Sequence, residues 1–216
     1  MAFPSSRVCL PVLLLALSGL AAEHQIAASA QPRPDTLAQQ QARWKVYRAP
    51  GIPFEFCYPE GFLLAAHVNS SLGFIFALIK QPGTPWLVDV GFEDRAEYSM
   101  DPFDKMSLEE FAVARAQVGC DADSADGTVS CPSVARKQRF KNQNGLEIVE
   151  LYLNQVNEKY DPPKIDKSII GPIEAVLLPR GRSGQVLTFK RTESAPPNMI
   201  SDGLLRQMAD SVKLAR

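Results

Sequence analysis

The feature that most constrains this chain is a change of hydrophobic period. Between Pro53 and Phe92 the apolar residues fall in short strand-like runs separated by turn residues, and at Ser107 the spacing becomes helical. A period of two means a pleated strand that buries one face. A spacing of three and four means a helix that buries one stripe. A chain that does both, in separate blocks, packs helices on a sheet.

The strand block has several parts. Trp44–Tyr47 is short. Pro53–Tyr58 sets Phe54, Phe56 and Tyr58 on one face and Glu55 and Cys57 on the other. Pro59-Glu60-Gly61 turns the chain, Phe62–Val68 resumes the sheet, and Asn69-Ser70-Ser71 breaks it. Gly73–Ile79 is apolar throughout, as expected for a strand covered on both faces. After Pro82-Gly83, Trp86, Val88, Val90 and Phe92 point one way while Leu87 and Asp89 point the other.

Ser107-Leu108-Glu109-Glu110 is a capping box. Its serine accepts from early backbone amides and its glutamate reaches back. The helix it opens carries Leu108, Phe111 and Ala112 on one face and is expected to end near Gly119. Strands then return. Val134–Lys141 and Leu146–Val156 flank Asn144-Gly145, a strong hairpin signal. Residues 157–168 read as a polar connection, and Ile173–Leu178 with Gln185–Arg191 as a second hairpin around 179–184. A final helix over Ser201–Leu214 carries Leu204, Leu205, Met208 and Val212 along a stripe. The expected fold is α+β: a largely antiparallel sheet flanked by two main amphipathic helices.

The start of the chain bears on compartment. Arg7 precedes an apolar run from Val8 to Leu20, and small residues offer cut sites after Ala21 and after Ala30. That layout predicts a secretory signal peptide over 1–30, too short to span a bilayer core, and a periplasmic or secreted product. Residues 31–43 read as a polar tether and 44–216 as one domain. Losing Arg7 and Glu23 leaves 22 basic and 23 acidic residues, a balance that argues against nucleic acid or an anionic membrane as partner.

Export changes the reading of the cysteines. Cys120 and Cys131 flank a polar, turn-rich decapeptide and are expected to form a disulfide. Closing such a loop contributes roughly 3 kcal/mol by restricting the unfolded chain. Cys57, between Phe56 and Tyr58, reads as a small buried hydrophobe rather than a reactive thiol.

The order of motifs resembles a known family. Tyr58-Pro59-Glu60-Gly61-Phe62, then Leu87-Val88-Asp89-Val90, then the Ser-capped helix are followed by a long hairpin through Asn-Gly. The chain closes on Gln185-Val186-Leu187-Thr188-Phe189 and a helix ending Ala209-Asp210-Ser211-Val212-Lys213-Leu214. This order, over about 44–214, is similar to PsbP-like proteins. The resemblance implies an antiparallel sheet between helical layers and a non-enzymatic accessory or binding role. It implies no site residues.

Chemistry-bearing residues are few. His24 lies in the expected leader, which leaves His67 as the domain's one imidazole. A hydrolase would need His67 with Cys57 or a nearby serine, and neither Gly-x-Ser-x-Gly nor a phosphate-cradling glycine loop is present. One histidine gives little basis for zinc. Asp121, Asp123 and Asp126 resemble a calcium loop, but the spacing fails by one residue and no closing glutamate follows. No metal or other cofactor is expected.

Arg136, Lys137, Arg139 and Lys141 form a basic strand, and Arg180, Arg182, Lys190 and Arg191 a second basic group. These offer an anion-binding or acidic-partner surface if they converge. The competing expectation is cross-strand pairing with Glu147 and Glu150. Asn69-Ser70-Ser71 is a glycosylation sequon wherever the secreting cell glycosylates. The leading expectation is an exported, non-enzymatic accessory or binding protein with a protein or small-molecule partner. The alternatives are a hydrolase built on His67 and a small-ligand carrier with an apolar cavity between helix and sheet.

Overall fold

A computed structural model describes residues 43–48, 52–69, 74–98, 102–118, 122–124, 127–160, 163–179, 184–192, 195–196 and 198–215. The expected leader over 1–30 lies outside them, as does the expected tether over 31–43 apart from Arg43.

The chain runs through β1 (Trp44–Tyr47), β2 (Phe54–Pro59), β3 (Leu63–Asn69), β4 (Phe74–Lys80) and β5 (Val88–Asp94). Two 3-10 turns, Arg95–Tyr98 and Pro102–Lys105, lead to α1 (Leu108–Val118). Then come β6 (Ala122–Ser124), β7 (Gly127–Lys141), β8 (Glu147–Tyr160), β9 (Pro163–Leu178) and β10 (Gln185–Arg191). The end is α2 (Asp202–Asp210) and β11 (Lys213–Leu214).

Strands β3-β4-β5-β10-β9-β8-β7-β6 form an eight-stranded sheet, and β1-β2-β11 a separate three-stranded one. Every strand pairing is antiparallel. The expected α+β class is therefore observed, with the strands divided between two sheets.

Side-chain alternation on β8 and β9 builds two cores. Val149, Leu151, Ile173, Ala175 and Leu177 face α1 and pack with Phe111 and Ala112. Ile148 and Val176 face the other way, into a core shared with Leu205 and Met208 of α2 and with Phe54 and Phe56 of the three-stranded sheet. Burying a large apolar side chain contributes about 1.5–3 kcal/mol, so both helices are held chiefly by these stripes.

The capping box forms as its sequence requires. Ser107 N–H donates to Glu110 Oε2 at 2.7 Å, and Glu110 N–H donates to Ser107 Oγ at 3.2 Å. The Ser107 backbone bond is the main cause holding the Glu110 carboxyl below its ordinary range. The Asn-Gly hairpin also forms, with Gly145 at φ +79°, the left-handed region where glycine carries no Cβ penalty.

Three expectations need correction. The last helix stops at Asp210, four residues before Leu214. Ser211 ends it: its N–H bonds back to Gln207, its Oγ donates to Met208 O at 2.6 Å and accepts from Cys57 N–H at 2.7 Å. The chain then turns so that Lys213 and Leu214 pair with Glu55 and Phe54. Second, residues 157–168 are largely strand, with β8 and β9 paired from Glu147↔Leu177 out to Tyr160↔Pro163. The segment reads as polar because Glu158, Lys164, Lys167 and Ser168 are exposed there. Third, part of the segment between Cys120 and Cys131 is a hairpin, Ala122–Ser124 pairing with Val129–Gly127.

Neither described cysteine, Cys57 or Cys131, is a free thiol, and both are buried. The buried position expected for Cys57 is observed, but not as a thiol. Cys120 lies outside the described residues.

Candidate functional site

The basic strand does not present a common charged face. Alternation along β7 sends Arg136 to the α2 side and Lys137 and Arg139 to the α1 side. Arg136 bonds Glu150 at 3.2 Å and lies over the Tyr152 ring. Lys137 reaches Glu109 of α1 at 2.6 Å, and Arg139 reaches Glu109 at 2.9 Å and Glu147 at 3.1 Å. Cross-strand pairing with Glu147 and Glu150 thus holds for Arg139 and Arg136, and α1 supplies a third acid. Lys141 is exposed.

In the second basic group, Arg180 and Arg182 lie outside the described residues. Arg191 donates to the carbonyls of Ile200 at 2.9 Å and Gly171 at 2.8 Å and pairs with Asp202. It fastens the start of α2 to the sheet.

The other candidates are separated. His67 sits on β3, an outer strand of the large sheet, opposite Phe76, and its side chain is outside the described residues. Cys57 is on β2 of the small sheet. Asp123 is on β6, while Asp121 and Asp126 lie outside the described residues. Among the described residues no three His, Cys, Asp or Glu side chains converge to hold a metal ion. Asn69 ends β3, with Ser70 and Ser71 outside.

Two other places are built by the fold. The first is a surface cleft of about 470 Å³ where the start of α1 meets the β7–β8 turn. Leu108, Leu146, Leu177 and Pro179 contribute apolar surface, and Glu109, Arg139 and Glu147 contribute charge. Ser107 lines it, but its hydroxyl is committed to the capping box. The turn itself is fixed by Asn142, whose Oδ1 accepts from Asn144 N–H and Leu146 N–H, both at 2.9 Å.

The second is a buried charge cluster under α2. Glu174 of β9 is fully buried, and Arg206 of α2 reaches it at 3.4 Å. The same guanidinium reaches Glu150 at 3.7 Å and Asp210 at 3.6 Å. Burial is the main cause that pushes the Glu174 carboxyl up to about 8; Arg206 opposes it, while Glu150 and Asp210 add to it. Burial also raises Asp210.

Glu55 shows the contrasting outcome. It is nearly as buried, but Lys213 at 2.7 Å and Arg48 both bond it. Burial raises its carboxyl and the two cations outweigh it, leaving it below the ordinary value.

Sequence reasoning missed Glu174, Arg206 and Asp210. The available signal was parity: Glu174 shares a strand face with Val176 and Leu178, so an inward carboxylate was legible once that strand was assigned. Arg206 is one turn from Asp210 on the helix above it.

No family model and no curated protein matches the chain. Its structure is similar to the solution structure of cyanobacterial PsbP (CyanoP) from Synechocystis sp. PCC 6803. That match has a TM-score of 0.49 and 14% identity, and covers 81% of this chain and 94% of the other. No residue role is transferred from that match.

Proposed function

We infer that this chain is an exported, non-enzymatic accessory or binding protein whose working surface is the cleft between α1 and the β7–β8 turn. The observation that carries the reading is the composition of that cleft: apolar side chains with one arginine and two carboxylates at the rim. Such a lining suits recognition of an apolar segment that carries a charge. The lining residues include no histidine or cysteine, and the single hydroxyl, on Ser107, already serves as a helix cap.

Export is supported by the leader pattern over 1–30. No helix among the described residues is long and apolar enough to cross a membrane. A Cys120–Cys131 disulfide belongs to the same reading, since the two cysteines flank one short segment of an exported chain. The partner is a protein or small molecule rather than nucleic acid, given the near-neutral charge.

The test uses the exported chain, immobilised and exposed to its native exported fraction, beside Arg139→Glu. Arg139 is an exposed rim residue, so the variant reverses the cleft's cation with little effect on folding. The reading expects a partner retained by the wild type and lost by the variant. Equal capture by both removes the cleft from the account. Turnover of an ester or amide panel that disappears in His67→Ala replaces the binding reading with the hydrolase.

A further inference from the structure

Two carboxylates face each other across neighbouring strands between the sheet and α2. Glu150 on β8 stands directly opposite Glu174 on β9. Glu174 is 0% exposed and Glu150 15%. Arg206 serves both, together with Asp210, and Arg136 is a further cation on Glu150. Fully ionised, three acids face two bases, and the acid deepest in the fold is the one farthest from water. Two neighbouring carboxylates, one of them desolvated, do not both hold charge cheaply.

Hydrogen bonding leads to the same place. As a carboxylate, Glu174 only accepts, and its buried Oε1 has no partner. With a proton, it becomes a donor and Glu150 is the acceptor it meets. The remaining charged and titratable groups nearby do not change this balance. Tyr152 of β8 lies against Arg136, and its hydroxyl is raised by burial. Arg191 of β10 and Asp202 of α2 pair with each other.

We propose that Glu174 is a proton latch for the C-terminal helix. Protonated, it seats α2 on the sheet. Losing the proton places a desolvated negative charge beneath the helix, whose one cation, Arg206, it must share with Glu150 and Asp210, and loosens the helix together with the turn clasped to its end. That clasp is explicit: Asn142 Nδ2 and Asn144 Nδ2 donate to Val212 O at 2.8 and 2.9 Å, just past α2. The same turn supplies Gly145, Leu146 and Glu147 to the cleft. The latch thereby connects pH to the cleft, but it does not depend on what the cleft binds.

The test is amide hydrogen exchange in the purified protein from pH 5.5 to 9, comparing α2 with α1. Taking the ratio of the two helices cancels the intrinsic pH dependence of exchange. The latch expects α2 protection relative to α1 to fall at least tenfold as pH rises through neutrality and to level off above about 8, where Glu174 is ionised in the closed state as well. Glu174→Gln keeps the shape and the donor, so its ratio stays flat. Asp210→Asn removes a neighbouring negative charge on a residue 41% exposed, so its midpoint moves to lower pH. A wild-type ratio constant across the range overturns the latch, as does a step that persists in Glu174→Gln. Should Glu174→Gln fail to fold, an Asp210→Asn midpoint equal to the wild type's rejects it.

Discussion

The two faces of the large sheet solve the same problem in different ways. Both carry a helix of similar length, α1 over β7, β8 and β9 and α2 over β9 and β10. Beneath α1 the strand residues are apolar: Val149, Leu151, Ile173, Ala175 and Leu177. Beneath α2 the apolar set is interrupted by Glu150 and Glu174. On the α1 side the charged residues stand in partly exposed pairs, Glu109 with Lys137 and Arg139, and Arg115 with Glu93. On the α2 side a carboxylate is buried and shares its one cation with two other acids. An apolar interface has nothing to titrate, and an interface holding a desolvated carboxyl does. The contrast predicts one helix seated alike at all moderate pH values and one whose seating depends on pH.

The largest effect should come from the apolar face. Phe111 is fully buried in contact distance of Tyr98 and Phe103. Phe111→Ala should cost about 3–5 kcal/mol, equally at pH 5.5 and 8.5, by urea unfolding. A cost that changes with pH would break the contrast from the α1 side. Next comes Glu174→Gln. Burial pushes the folded-state carboxyl up to about 8, against an ordinary value of 4.5. The folded state therefore holds a proton that the unfolded state releases first. Stability from this group is complete below about 4.5 and is lost as pH rises through 8. Glu174→Gln should leave stability near the wild type's at pH 5 and raise it by about 3 kcal/mol at pH 8.5.

Smaller effects sharpen the picture. Ser107→Ala removes the hydroxyl acceptor of the α1 capping box and should cost about 1 kcal/mol, read as a lower thermal midpoint. No loss would mean α1 is held by its stripe alone. Arg139→Gln breaks two partly exposed pairs and should cost less than about 1 kcal/mol, diminishing further in high salt. A larger loss would show that charge also holds the α1 face.

Most of the fold was legible because it rests on period and punctuation. The capping box at Ser107 and the turn at Asn144-Gly145 are local chemistry, and both form as the sequence requires. What was not legible depends on distant partners. The last helix ends at Asp210 because Ser211 bonds Cys57 and the chain pairs with β2, with neither glycine nor proline to mark the stop. Residues 157–168 looked like a loop because exposed strand residues have a loop's composition. The basic strand divided because consecutive residues on a strand face opposite sides. The cluster around Glu174 joins residues from β8, β9 and α2, and no window of sequence holds all three.

The measurement that tests the difference between the faces most directly is the stability gap between Glu174→Gln and wild type, followed by urea unfolding from pH 5 to 9. The account predicts a gap near zero at pH 5 that widens through neutrality and levels off above about 8. A gap of the same size at every pH would mean that Glu174 carries no titrating proton, and that the two faces hold their helices in the same way.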